Sequence, residues 1–456
     1  MNKLKSFILS SLMYVASLSL SAQDLWTLER CIYYAIDNNI QVKQQQLAIE
    51  QSENNLQQAK AALFPSLNTG ADVSHSIGRS GDASSYSFNN QLTYITPSIS
   101  SQFTLFAGGQ KKNAIKKNEI DLKSAIQDKE KLKNDIALNV AAGFLQILLT
   151  QETLSNARQQ TESTMERIEK TKKTVEAGKL TLSSLLEIQA QLSSEEAQIV
   201  KAENDLDMAC LNLKQMMELY DAPDFKITSP EILTVPEPGE NQTDNIYFDA
   251  ADRMPEVKSA RLQVESSKKS LDMATGALYP TLGLFAAYSS AYSSAGKKTQ
   301  YTKTADGRDT VMIVDASFGY QMKENNNLRM GLSLSIPIFN GLQARTGVKN
   351  AQLGVKNSEL NLQQVKNSLY KDIQQASADA RAQYKNYAAS QKNVDLMTES
   401  FRYSETRLDV GAITSTDYIV AKNNLFKAKS DCVQAKYQYI FQLKILDFYK
   451  GLVIKL

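Results

Sequence analysis

The sequence predicts a mixed, mainly α-helical chain in which a few β-strands are joined to very long helices. Three observations predict it. Blocks of sequence recur at fixed offsets, so the chain reads as two similar halves. Each half holds two short segments in which apolar and small polar residues alternate, the period of a two-faced strand. Each such pair leads into roughly 70 residues with almost no Gly or Pro and with apolar residues every three or four positions, the period of a helix.

At the N-terminus, "MNKLK" is a basic start, "SFILSSLMYVASLSL" a short apolar core and "SAQ" a run of small residues. This reads as a secretory signal peptide over residues 1–22, with cleavage near Ser21 to Gln23; the core is too short and too rich in serine for a membrane helix. Cys31 follows "TLER", which lacks the small residues of a lipoprotein signal, so no lipid anchor is expected. No later segment reads as the roughly 20 apolar residues of a spanning helix.

The duplication organises the rest. "QVKQQQLAIEQSENNLQQAKAALFPSL" (Gln41 to Leu67) runs beside "EVKSARLQVESSKKSLDMATGALYPTL" (Glu256 to Leu282) at an offset of 215. "FTLFAGGQ" then matches "IPIFNGLQ", and "EAGKLTLSSLLEIQAQL" matches "DVGAITSTDYIVAKNNL", both at an offset of 233. The difference of 18 is an insertion within "AGKKTQYTKTADGRDTVMIVDASFGYQMKENNN". The expected organisation is repeat 1 over residues 24–220, a Pro-rich linker over 221–246 and repeat 2 over 247–456.

Four strands are expected, each about 10 residues, the length that crosses an outer membrane when tilted. Leu67, Thr69, Ala71, Val73 and Ile77 share one face of the first, against Asn68, Gly70, Asp72 and Ser74. Ile95, Ile99, Phe103 and Leu105 oppose Thr96, Ser98, Ser100 and Gln102 in the second. Leu282, Leu284, Ala286, Tyr288 and Tyr292 align in the third, and Met330, Leu332, Leu334, Ile336 and Ile338 in the fourth. An amphipathic sheet half buried in a soluble core shows the same alternation. Two matching hairpins in an exported chain favour a lipid-facing barrel with a wet lumen. Four strands cannot close a barrel, and an open edge in lipid leaves backbone groups unsatisfied. The barrel is therefore shared between chains. Two chains give eight strands and a plugged interior; three give twelve and room for a passage, the preferred reading.

The helical runs extend from Gly109 to Ala177 and from Gly341 to Val410, roughly 100 Å each at the helical rise. Their narrow apolar stripes, such as Ile115, Leu122, Ile126, Leu132, Ile136 and Val140, suit side-by-side coiled-coil packing. In the first half the returning partner comes in two pieces, Ile40 to Leu63 and Leu182 to Tyr220. At the far end lie the turns "AGKLT" and "VGAIT". Gly178 and Gly411 are suited to end one helix, and Thr181 and Thr414 to cap the next. Asp417 follows the second turn; as a single chain it is an ordinary surface acid, but three copies around one axis would form a carboxylate ring that favours cations.

The composition excludes other classes. Lys+Arg 51 against Asp+Glu 49, interleaved, carries no nucleic-acid signature. Cys31, Cys210 and Cys432 are far apart, so neither a zinc site nor a disulfide framework is indicated. The sole histidine, His75, has no paired carboxylates or nucleophile motif beside it, so no enzyme, cofactor or metal site is expected. A periplasmic coiled-coil adaptor or structural protein is the alternative of a different class. It would carry one helical hairpin rather than duplicated strand–helix units.

Taken together, "LWTLERCIYYAIDNN", "ALFPSL", "ALYPTL", "TLFAGG", "SIPIFNG", "AGKLT" and "VGAIT" resemble the TolC-type outer membrane efflux proteins over nearly the whole mature chain. The resemblance implies a trimer with a shared twelve-stranded membrane barrel and a long periplasmic helical coiled-coil barrel. It implies the exit duct of a tripartite efflux pump, passing small molecules from an inner-membrane transporter and a periplasmic adaptor, or alternatively the exit duct of type I protein secretion. By the same resemblance Gly178, Leu180, Thr181, Gly411, Ile413 and Thr414 fall at adaptor-docking tips, and Asp417 at the periplasmic constriction. This chain departs from the pattern in places. A second acid near the constriction is Val420 here, and the Tyr and Arg that lock the mouth in some members align with Leu408 and Ile413. Ile40 stands where many members have Pro.

Overall fold

The computed structural model describes residues 25–82, 87–222, 225–230, 236–237 and 243–455. The expected signal peptide, and much of the expected linker, lie outside the described residues. Helices α1 (Leu28–Asn38) and α2 (Ile40–Ala61) lead into strands β1 (Ser66–Asp82) and β2 (Ser87–Ala107). Then come α3 (Gln110–Glu176), α4 (Leu182–Met216), α5 (Thr243–Arg253) and α6 (Pro255–Gly276). Strand β3 (Thr281–Ser289) is followed by β4 (Tyr292–Ser293), β5 (Lys297–Lys303), β6 (Asp309–Asp315) and α7 (Phe318–Glu324). Strand β7 (Asn327–Ser335), α8 (Gln343–Asp409) and α9 (Ser415–Lys450) complete the chain. The insertion expected from the offsets holds β5, β6 and α7, and α5 starts inside the segment read as linker.

The described chain forms two compact units. One draws on Ala48–Ile126 and Ser259–Gln363 and contains the sheet. The other draws on the described residues up to Leu47, within Gln127–Lys258 and from Gln364 onward, and contains the helical tips.

In the sheet unit the strands run β1-β2-β3-β7, all antiparallel. Val73 lies opposite Ile95, Ile99 opposite Tyr288, and Leu284 opposite both Phe103 and Leu332. Directly opposed residues share a face, so these pairs join into one apolar surface. It is exposed: Leu67 is 76% and Leu332 66% accessible. The other face pairs Asn68 with Ser100, Asp72 with Thr96, and Ser289 with Asn327. An apolar face open to the outside backed by a polar one is the reverse of a soluble sheet, and is what lipid on one side and water on the other require. β1 and β7 are the sheet's edges and the barrel is not closed within one chain.

Three details differ from expectation. β1 and β2 have 17 and 21 residues, well beyond the membrane-crossing minimum. The register shifts between Thr104 and Phe106, so Phe106, not Leu105, lies opposite Leu282 and continues the apolar face. A bulge inserts one residue and so switches which side chain faces lipid. β7 ends at Ser335, and Ile336 and Ile338 lie past the strand. Where strands meet helices the hairpins touch: a Cβ on Gly108 would lie 2.2 Å from the Gly276 carbonyl oxygen, and Gly108 has φ +56°. Both features demand glycine there.

α3 and α8 have 67 residues each, about 100 Å of helix. α3 contains one 18-residue window which, by length and composition, would suffice to cross a membrane, contrary to the sequence expectation. Its apolar residues do something else. Ile136, Val140, Phe144, Ile147 and Leu148 pack with Leu28, Cys31, Leu213, Met217, Phe225 and Ile440 into the core of the helical unit.

Candidate functional site: the paired helical tips

Each tip is a helix, a left-handed glycine and a capping threonine. α3 ends with Gly178 at φ +74°, where the Lys179 amide donates back to the Thr174 carbonyl at 3.1 Å. α8 ends the same way, with Gly411 at φ +73° and the Ala412 amide on the Arg407 carbonyl at 2.8 Å. These six-to-one bonds satisfy carbonyls that a helix end leaves orphaned, and they need a left-handed residue to form. The Thr181 hydroxyl accepts from the Ser184 amide at 3.3 Å and starts α4. The Thr414 hydroxyl accepts from the Asp417 amide at 3.1 Å, while the Thr414 amide donates to Asp417 Oδ2 at 3.1 Å. That is a reciprocal capping box.

Asp417 therefore has a local task that the sequence reading did not assign to it. The Thr414 hydroxyl also donates to Oδ2 at 2.8 Å. That bond and the Thr414 amide hold the Asp417 carboxyl below the usual carboxylate range. The side chain is exposed, as are Gly178, Thr181, Gly411 and Thr414; Leu180 and Ile413 are half-buried. The two tips stand together. The Thr416 hydroxyl donates to Glu187 at 3.4 Å, and Gln191 donates to Asn423 at 3.0 Å, tying α4 to α9.

Two charged clusters brace this end, and the sequence reading missed both. Arg167 and Lys170 of α3 each bind Asp409, the last residue of α8, at 2.7 and 2.5 Å. Arg167 is buried and lies over the Tyr418 ring, 5.0 Å from its centroid, with Phe401 against the same ring. Burial raises the Asp409 carboxyl, but the hydrogen bonds and charges of Lys170 and Arg167 outweigh it and hold it below its ordinary value.

The second cluster joins Lys422 of α9 to Glu195 of α4 at 3.3 Å, with exposures of 4% and 1%. Glu195 Oε1 also accepts from Gln160 and Gln191, each at 2.9 Å, and Oε2 accepts from Thr164. Lys422 donates to the Gln160 carbonyl at 2.8 Å and to the Thr164 hydroxyl. Burial lowers the Lys422 ammonium's pKa, and Glu195 opposes the shift. A signal for this cluster was present. Glu195 occupies the step of seven between the buried Ile188, Ala202 and Ala209, and Lys422 falls in the stripe of Tyr418, Leu425, Ala428 and Cys432. A charge in a heptad seat marks a buried polar pair.

A two-faced open sheet, two helices of about 100 Å and paired exposed tips define a membrane-anchored helical duct. Comparison with known proteins gives the family. The family model described as Outer membrane efflux protein matches residues 31–217 and 246–451, and the chain belongs to that family. It is 25% identical over 395 residues to the outer membrane protein TolC of Escherichia coli (strain K12), covering 86% of this chain and 75% of that protein. It is 23% identical to the alkaline protease secretion protein AprF of Pseudomonas aeruginosa, over 70% of this chain and 62% of that one. A crystal structure of CusC, described in connection with transmembrane channel formation, superposes with a TM-score of 0.77 at 16% identity, over 95% of this chain and 96% of that one.

The protein is an outer-membrane exit duct with a large periplasmic portion. The family is one of channels, not enzymes. Its channels are homotrimers that work with an adaptor and an inner-membrane partner, and the sheet that one chain leaves open fits such an assembly.

Proposed function

We propose that three copies of this chain close a twelve-stranded barrel and carry small molecules outward, received at the helical tips from a periplasmic adaptor and an inner-membrane transporter. The observation that carries the reading is the pair of adjoining, exposed, glycine-ended turns. Gly178, Leu180, Thr181, Gly411, Ile413 and Thr414 are the adaptor-docking positions. Asp417 supplies one carboxylate per chain to the periplasmic constriction; its capping bonds engage Oδ2 and its exposure suits a ring. With Leu408 and Ile413 where some members carry a Tyr and an Arg, the mouth of this chain is held by Asp409 on Arg167 and Lys170.

Gly178→Pro with Gly411→Pro is the test. The double variant is expected to reach the outer membrane as a trimer yet lose adaptor co-purification and drug resistance. Full resistance would refute tip docking. The likeness to AprF supports a second reading, export of a secreted protein. Deletion of the gene separates the two: drug sensitivity with normal secretion supports efflux, and the converse supports secretion.

A further inference from the structure

The segment between β3 and β7 is a fastened element. Gln321 is 3% exposed; its amide nitrogen donates to the carbonyls of Ser293 at 2.9 Å and Ala316 at 2.8 Å, and its oxygen accepts from the Ser293 amide at 2.8 Å. The Ser290 hydroxyl donates to the Met322 carbonyl at 2.9 Å, and the Asn325 amide to Ala291 at 2.7 Å. These bonds seat α7 against β4.

β4 in turn pairs with β2, and Tyr292 lies opposite Ile95. Opposed residues share a face, so Tyr292 continues the lipid-facing surface of Val73, Ile95 and Ile99. Phe318 packs on Tyr292 at 5.2 Å between ring centroids, and the Lys298 ammonium lies 4.9 Å from the centroid of Tyr320. Phe318 and Tyr320 remain 51% and 41% exposed. Lys297 is bound to Asp315, whereas among the described residues no carboxylate pairs with Lys298.

Position supplies the rest. β1, β2, β3 and β7 join their helices at Ser66, Ala107, Thr281 and Ser335, all at the same end of the strands. Residues 290–326 leave from the opposite end, past the Ser289–Asn327 pair. The chain passes from the strands into its periplasmic helices α2, α3, α6 and α8 at the first end, so this end meets the outer leaflet and the outside.

We propose that Tyr292, Phe318, Tyr320 and Lys298 form a ledge that binds the phosphorylated headgroup of an anionic outer-leaflet lipid. Aromatic rings settle at the boundary between hydrocarbon and water, apolar body inward and polar tip outward. A lysine held over a ring there offers a point charge to a phosphate. The apolar continuity from Ile95 through Tyr292 to Phe318 is what favours a lipid over a free anion, which needs no rings.

The test uses the purified full-length trimer. Native mass spectrometry with added diphosphorylated lipid A is expected to show bound lipid on the wild type and about tenfold less on Lys298→Gln. Equal retention by the variant overturns the proposal, and so does displacement of the lipid by equimolar inorganic phosphate. In vesicles of lipid A and brominated phosphatidylcholine, Phe318→Trp fluorescence is expected to be quenched by bromine, after subtraction of the native Trp26 signal. Quenching by aqueous acrylamide alone would place the ledge outside the lipid. Leu284→Trp, mid-strand, reports insertion of the sheet separately, so failure of the ledge is distinguishable from failure of the barrel.

Discussion

Replacing Lys422 by methionine removes the positive charge paired with Glu195 while keeping the volume. Glu195 is 1% exposed, so its carboxylate would be left in the helix interior without a counter-charge. Breaking a buried pair from one side costs about 3–5 kcal/mol. The low end applies here, because Gln160, Gln191 and Thr164 still donate to the carboxylate. About 3 kcal/mol corresponds to roughly 150-fold in a local opening equilibrium. Hydrogen–deuterium exchange of the α4 amides around Ile188 to Ala202 reads that opening directly. Lys422→Met is expected to speed exchange there by about two decades at neutral pH. Lys422→Met with Glu195→Leu should return it to within about tenfold of wild type, because an apolar pair of similar volume replaces a buried ion pair at little cost. Exchange in the single variant within about threefold of wild type would refute the reasoning, for the pair would then carry no interaction worth the name.

Further outcomes follow from the same geometry. Asp409→Asn weakens the hold on Arg167 and Lys170 by about 1–2 kcal/mol, the partly exposed carboxylate being screened, and should raise single-channel conductance and sensitivity to bulky antibiotics. Unchanged conductance argues against a lock at this position. The same carboxyl, held below its ordinary value of 3.8, keeps its contribution at all higher pH and loses it as pH falls through the lowered folded value. Wild-type conductance should therefore be flat from neutral to mildly acid pH and rise only below 3.8, and Asp409→Asn should abolish that rise. Leu332→Lys, on the lipid face, should cost about 2–4 kcal/mol and lower the trimer recovered from the outer membrane, while Ser333→Lys on the polar face should not. Thr414→Ala removes the α9 cap, about 1 kcal/mol, and should fray the tip in hydrogen exchange. Asp417→Asn should lower cation preference in planar bilayers; an unaltered preference would leave Asp417 with its capping task alone.

Much of this protein was legible in the residues because local rules wrote it. Alternation placed Leu67, Val73, Ile99 and Leu332 on one face, and the register shows that face continuous and exposed. Glycine followed by threonine announced Gly178–Thr181 and Gly411–Thr414, since helix stop and start signals act within a few residues. The long helices followed from the scarcity of Gly and Pro over 67 residues. Other features were decided by tertiary contact. The bulge at Leu105 depends on where β3 pairs, which no period in β2 encodes. The apolar stretch of α3 is a core element because Leu28, Leu213 and Ile440 arrive to cover it. Arg167 and Asp409 lie 242 positions apart, and Glu195 and Lys422 belong to different halves. The charges of Arg167 and Asp409 look ordinary along the chain, and the heptad seats of Glu195 and Lys422 do not name their partners. Only packing removes water from them, and it is the loss of water that turns such residues into the bonds that tie the helices together near the tips.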